Sequence, residues 1–192
     1  MADVLLFHHA QGLTAGCAAF AERVRAAGHT VRAPDLYDGR TFPSLAEGVA
    51  HAEQVGLGTL IGRGKQAAEG LAEGLVYVGF SLGVLPAQML AQTRPGARGA
   101  LLAHSCVPPS ELGAWPDGLP AQIHLMEHDE HVLPPNEDLA AARELAATAA
   151  AVELFLYPGD RHLFADSSLP DYDEDAAALL EARVLGFLGA LT

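Results

Sequence analysis

Cysteine is scarce here. Cys17 and Cys106 are the only two in 192 residues, and their spacing suits no disulfide framework. They read as free thiols in a reducing compartment. Basic residues are also few: 11 Lys and Arg stand against 24 Asp and Glu, a formal net charge of −13. Such a surface repels phosphates, which argues against nucleic acid and, more weakly, against anionic substrates. No apolar run reaches ~18 residues, so no membrane span is expected. The N-terminus lacks the basic region and cleavage site of a signal peptide. A soluble cytoplasmic protein is the expectation. No Gly-Lys-Ser/Thr follows Gly12 and Gly16, so there is no phosphate loop and no case for a nucleotide. There is no zinc-protease motif, no internal repeat and no dividing linker. The one low-complexity stretch is Ala-rich, over 140–151.

What is present is apolar in short runs. Half the residues are hydrophobic, enough for the core of one α/β domain spanning 1–192. Short strands are predicted at Val4–Phe7, Thr30–Ala33, Leu75–Val78, Gly99–His104, Gln122–Met126 and Val152–Tyr157. Helical patterns lie between them: Cys17–Ala27, one or two helices over Leu45–Leu71 broken near Gly56 and Gly58, Val84–Gln92, and Asn136–Ala150. A final amphipathic helix carries Ala176, Leu180, Val184, Phe187 and Leu191 on one stripe. The acidic run Asp171, Asp173, Glu174, Asp175 suits the start of that helix. Alternation of this kind means a mostly parallel six-stranded sheet with helices on both faces. The expected strand order is 2-1-3-4-5-6, with the reversal between strands one and three. Ligands collect there, at the carboxyl ends of the strands.

The stretch Gly79-Phe80-Ser81-Leu82-Gly83 falls at that reversal, after an apolar strand and before a helix. A sharp strand-to-helix turn needs small flanking residues and exposes its central side chain, a nucleophile elbow. A serine hydroxyl needs a base, and the base needs an orienting acid. His162, after strand six, is the best base. Asp129, after strand five, is the best acid, with Glu127, Glu130 and Asp160 as rivals. The order Ser81, Asp129, His162 is that of an α/β-hydrolase. Blander readings exist for each residue alone. Ser81 is also a possible helix N-cap, although a cap does not require glycine on both sides. His162 alone is also a solvated loop histidine.

Two backbone donors are needed for the developing alkoxide. Leu82 N–H is one. Ala10 N–H, in the loop after strand one, is the first choice for the other, with Gln11 next. His9, Gln11, Phe80 and Phe164 are the expected substrate-pocket residues, and Leu85 and Trp115 are further apolar candidates, with core packing as the competing reading. His8 and His9 point to opposite sides of an extended chain, and His9 is taken to face the pocket. Cys106 reads as a small buried side chain near the site. His128 and His131 flank Asp129, but without a metal motif they read as a polar rim, and no metal or cofactor is expected.

The chain resembles the dienelactone hydrolase family of small α/β-hydrolases. The resemblance rests on His8 to Leu13, on Pro34-Asp35-Leu36-Tyr37-Asp38-Gly39-Arg40, on the elbow, on the Asp129 loop with Pro134, and on Gly159 to Phe164. It implies hydrolysis of lactones or small esters, without a metal, organic cofactor or large lid. It maps nucleophile, acid and base onto Ser81, Asp129 and His162. Three departures stand out. The prototypes carry cysteine where this chain has Ser81. They carry a glutamate, close to the resting thiol, where this chain aligns His9. Four residues after the histidine base they carry an arginine for the substrate carboxylate, and here stands Asp166. Arg40 and Arg63 are candidates for a second carboxylate-binding arginine. A less charged ester or lactone fits these changes better. Rival readings are a non-catalytic binding protein on the same fold, a metal-dependent hydrolase using His128 and His131, and a thioesterase or acyltransferase. No interface pattern indicates an oligomeric state.

Overall fold

Alternation within the strands builds the molecule. The computed structural model describes residues 1–191. In β1 (Asp3–Phe7), Leu5 and Phe7 face one core while Val4 and Leu6 face another. In β3 (Leu75–Phe80), Tyr77 joins the first core and Val76 and Val78 the second. A strand with apolar residues on both faces must be covered on both. The remaining strands are β2 (Thr30–Arg32), β4 (Gly99–Ala103), β5 (Ala121–Met126) and β6 (Val152–Tyr157). All neighbours pair in parallel, in the order β2-β1-β3-β4-β5-β6. The sequence reading of six strands in that order is therefore correct, and the reversal lies between β1 and β3.

Helices α1 (Ala15–Ala26) and α7 (Glu174–Ala190) cover one face, burying Cys17, Phe20 and Val24 and Leu180, Val184 and Leu188. Against the other face lie α3 (Leu57–Ala68), α4 (Val84–Thr93) and α6 (Asp138–Thr148), through residues such as Leu60, Leu90 and Leu145. Helix α2 (Leu45–Val55) buries Ala52 beside them. Asp173 caps α7 by accepting the Ala176 N–H at 3.1 Å, so the acidic run does start this helix.

The glycine-rich middle segment resolves into α2 and α3, broken at Gly56, whose φ of 89° is in the left-handed region. Gly58 lies inside α3 rather than at the break. Gly64 sits against Pro86 of α4 so closely that a Cβ would collide with it. Helix–helix proximity, not flexibility, explains that glycine. One element went unread: α5 (Pro109–Leu112), a single turn with proline at its start. Strand β3 also runs two residues further than its apolar core, because Gly79 and Phe80 still pair with Leu102 and Ala103.

Candidate active site

The end of β3 turns into a short 3-10 stretch, Ser81–Gly83, and then into α4. Ser81 takes φ 49°, a strained value for a residue with a side chain. The strain is imposed by crowding. A Cβ on Gly79 would lie 2.5 Å from the Gly83 carbonyl oxygen, and one on Gly83 would collide with the Phe7 carbonyl. Only glycine at both places lets the strand fold back while lifting Ser81 clear.

The Ser81 Oγ–H donates to His162 Nε2 at 2.7 Å. His162 Nδ1–H donates to Asp129 Oδ2, also at 2.7 Å. Asp129 is 1% exposed, and its second oxygen accepts the His131 N–H at 2.9 Å. The loops after β5 and β6 are joined to each other: His128 N–H reaches the Gly159 carbonyl at 2.9 Å, and Arg161 N–H reaches Met126 Sδ at 3.2 Å. The structure thus brings Ser81, Asp129 and His162 together. Glu127, Glu130 and Asp160 are exposed.

The loop after β1 approaches the elbow from the other side. Burial lowers the proton affinity of His8 to a pKa of about 4. Its neutral ring donates from Nδ1 to the His9 carbonyl at 2.8 Å and accepts the Leu36 N–H at 2.9 Å. Leu36 belongs to the Pro-Asp-Leu-Tyr segment, whose Asp35 accepts the N–H groups of Tyr37 and Gly39 at 2.8 and 2.5 Å. That segment is a brace for the loop. Gln11 N–H points at His9 Nδ1 at 3.2 Å. Ala10 N–H has no acceptor among the described residues.

Beside Ser81 lies an open cleft of about 510 Å³. Its apolar lining includes Leu82, Leu85, Val107 and Pro108, and its polar lining includes His104, His131, Glu111, Glu137 and Asp138. No Lys or Arg lines it. Three of the expected pocket residues lie elsewhere. His9, Phe80 and Phe164 are buried beneath the site. Phe80 meets Phe20 of α1 edge-on at 5.1 Å, and Phe164 packs on His104 and Tyr157 at 4.7 and 5.0 Å. Gln11, the fourth, turns its side-chain amide to the Phe42 carbonyl at 3.0 Å and does not line the cleft. Trp115 lines a separate surface hollow of about 610 Å³. Arg40 and Arg63 are also absent from the cleft wall; Arg63 pairs with Asp38 at 3.0 Å.

Sequence reasoning missed His104 and Asp138. His104 follows β4 with φ 68°, is 2% exposed, and its Nδ1 has no partner among the described residues. Burial, then the neighbouring His162, His9 and His124, hold its proton affinity well below the ordinary histidine range. Its place at a strand's carboxyl end was the available signal. Asp138 begins α6 and accepts Ser105 Oγ–H at 2.5 Å and Cys106 N–H at 3.1 Å. Cys106 borders the cleft, and burial pushes its thiol up to about 12, with Asp138 adding to the shift.

The two positions that depart from the family pattern meet. His9 Nε2–H donates to Asp166 Oδ2 at 2.7 Å, deep in the protein. Burial opposes a charge on His9, but the hydrogen bonds and charges of Asp166 and Cys17 together outweigh it and raise His9 to about 9. A second proton on the ring displaces the Gln11 contact at Nδ1. Burial likewise opposes charge on Asp166, and bonds from His9, Ser168 and Thr14 hold it well below the usual carboxylate range. Asp166 therefore faces His9, not the cleft. His9, Cys17 and Asp166 are also the one set of His, Cys and carboxylate donors close enough to share an ion among the described residues. They are already hydrogen-bonded among themselves. His128 and His131 belong to no such set among the described residues.

No helix among the described residues is long and apolar enough to cross a membrane. No curated protein sequence matches the chain. Among solved structures it is similar to a candidate dienelactone hydrolase from Klebsiella pneumoniae subsp. pneumoniae, at 19% identity over 97% of this chain and 86% of that one, with a TM-score of 0.72. A dienelactone hydrolase-like promiscuous phosphotriesterase from metagenomic libraries aligns at 18% identity over 100% of this chain and 87% of that one, TM-score 0.75. The thioesterase domain from a curacin biosynthetic pathway aligns at 15% identity over 96% and 90%, TM-score 0.65. At these identities the likeness is one of fold. The sequence model of the dienelactone hydrolase family matches residues 2–192, and with an α/β-hydrolase-like fold beneath it, this chain belongs to that family.

Proposed function

We propose that this hydrolase cleaves a small, uncharged carboxylic ester or lactone through an acyl-enzyme on Ser81. The relay Ser81–His162–Asp129, with both hydrogen bonds at 2.7 Å, carries the reading. In this scheme Ser81 Oγ attacks the carbonyl carbon while His162 Nε2 takes its proton. Asp129 holds the ring in the tautomer that leaves Nε2 free to accept. The N–H groups of Leu82 and Ala10 receive the oxyanion, the first from the 3-10 turn that leads into α4, whose dipole also favours negative charge. His162 returns the proton to the departing alkoxide, which leaves as alcohol. It then takes a proton from water, whose oxygen attacks the acyl carbon, and passes that proton to Ser81 Oγ as the acyl C–O bond breaks and the acid leaves.

The cleft supports the substrate class. Its volume suits a small molecule, and it offers carboxylates but no arginine or lysine to an incoming anion. No cofactor enters any step. Two buried free thiols suit a reducing, cytoplasmic setting.

The test is a panel of neutral aryl esters, lactones, thioesters and anionic dienelactones, run with the wild type and Ser81→Ala. Turnover of neutral esters or lactones that disappears in Ser81→Ala is expected. Faster turnover of the anionic dienelactone sinks the substrate class, a preference for thioesters reassigns the acyl group, and no turnover at all favours a binding protein.

A further inference from the structure

We infer that His9 and Asp166 form a latch that holds the Ala10 amide and the His162 ring in one frame, each acting as a positioning residue for the serine hydrolase reaction on which this inference rests. His9 immediately precedes Ala10. Asp166 lies four residues beyond His162, in the same loop, where its own N–H closes a turn onto the Leu163 carbonyl at 3.0 Å. The 2.7 Å bond between them therefore joins the two segments that bring the oxyanion donor and the base to Ser81.

The carboxylate gathers more than one segment. It accepts from Thr14 Oγ1–H, at the cap of α1, and from the N–H and Oγ–H of Ser168 at 2.8 and 2.6 Å. The imidazole does likewise. One nitrogen faces Asp166, and the other faces Gln11 N–H at 3.2 Å, inside a turn closed by Gly12 N–H on the His9 carbonyl at 3.0 Å. The site is cut to fit: a Cβ on Gly16 would collide with the Asp166 carboxylate.

Stability alone does not account for such a pair. Taking two ionisable groups out of water is costly, and well-packed apolar side chains of similar volume are often as stable or more so. Geometry does account for it. Oxyanion donors act within a few tenths of an ångström of their ideal distance, and a misplacement of ~1 Å costs about 100-fold in rate.

The experiment compares His9→Leu, His9→Gln, Asp166→Asn and the His9→Leu/Asp166→Asn pair with the wild type. The readouts are kcat and KM on a neutral aryl ester, affinity for an aryl trifluoromethyl ketone, and circular dichroism for folding. The ketone forms a tetrahedral adduct on Ser81, so its affinity reports the oxyanion donors. His9→Leu and Asp166→Asn are expected to lower kcat about 10- to 100-fold and to weaken the ketone by a similar factor, while KM changes little. The pair should lose no more than either alone. His9→Gln, whose amide can donate to Asp166 and accept from Gln11, should keep most of the rate. Folded variants that keep kcat, or that lose activity through KM with ketone affinity intact, overturn the latch. If Asp166→Asn does not fold, the contrast between His9→Leu and His9→Gln decides the matter: equal loss in both overturns it. A wild type that neither hydrolyses esters nor binds the ketone overturns the serine hydrolase reading itself. An active wild type with unaffected variants overturns only the latch.

Discussion

Ser81 Oγ and His162 Nε2 lie 2.7 Å apart although 81 residues separate them along the chain. Two parallel strand ends make this possible. β3 delivers the serine on a strained turn, and β6 delivers the histidine three strands further along the sheet, with Asp129 of the β5 loop holding its ring.

Asp129→Asn tests that hold. An amide can donate to His162 Nδ1 and so favours the wrong tautomer, leaving the fold intact. A loss of kcat of about three to four orders of magnitude is expected, with KM little changed. Steady-state kinetics on a neutral aryl ester measures it. Activity within a few-fold of wild type would remove Asp129 from the relay.

The turn itself is tested by Gly83→Ala. The added methyl meets the Phe7 and His8 carbonyls, which belong to β1 and its loop and have little room to move. Overpacking of this kind costs about 1–3 kcal/mol, readable in urea unfolding, and here it also moves Ser81. Both stability and turnover should fall. Unchanged turnover would mean that the elbow tolerates a shift the account does not allow.

Charge in the cleft gives a third prediction. Glu111, Glu137 and Asp138 line it and no cationic side chain answers them. Of two esters matched in size, the neutral one should have the higher kcat/KM than the carboxylate-bearing one. Added salt should narrow the gap by screening, and Glu137→Gln should narrow it at low salt. An anionic ester favoured at low salt contradicts the assignment.

The fourth prediction concerns pH and stability. His9 is raised from 6.5 to about 9 in the folded protein, burial opposing and Asp166 and Cys17 together prevailing. A group raised on folding contributes fully below its unfolded value and loses that contribution as pH rises through the folded one. Asp166 is lowered on folding, so its contribution is present above the ordinary carboxylate range and lost in acid. The advantage of wild type over His9→Gln in urea unfolding should therefore shrink between pH 6.5 and about 9. An advantage that stays flat or grows across that interval contradicts a pair stabilised by the proton on His9.

The relay was legible in the sequence because its residues sit at strand ends, where a parallel sheet collects polar side chains whatever the details of packing. Gly79 and Gly83 flanking Ser81 supplied the turn. The pocket was not legible in the same way. Phe80 is adjacent to Ser81 in sequence, yet strand alternation sends it to the opposite side, against Phe20. His9 read as a pocket residue because its partner, Asp166, is 157 residues away, and nothing local announces a buried pair. His104 offered only its place at a strand end, because a left-handed backbone and a nitrogen unpartnered among the described residues leave no mark in the sequence. The break expected near Gly56 and Gly58 falls at Gly56, while Gly58 lies inside α3 and Gly64 makes room for Pro86.

The most direct measurement is covalent labelling with a fluorophosphonate, read by intact mass and peptide mapping. One adduct per chain is expected, on Ser81, abolished in Ser81→Ala and slowed in His162→Ala. A folded wild type left unlabelled, or an adduct placed on any other side chain, would contradict the Ser81 assignment.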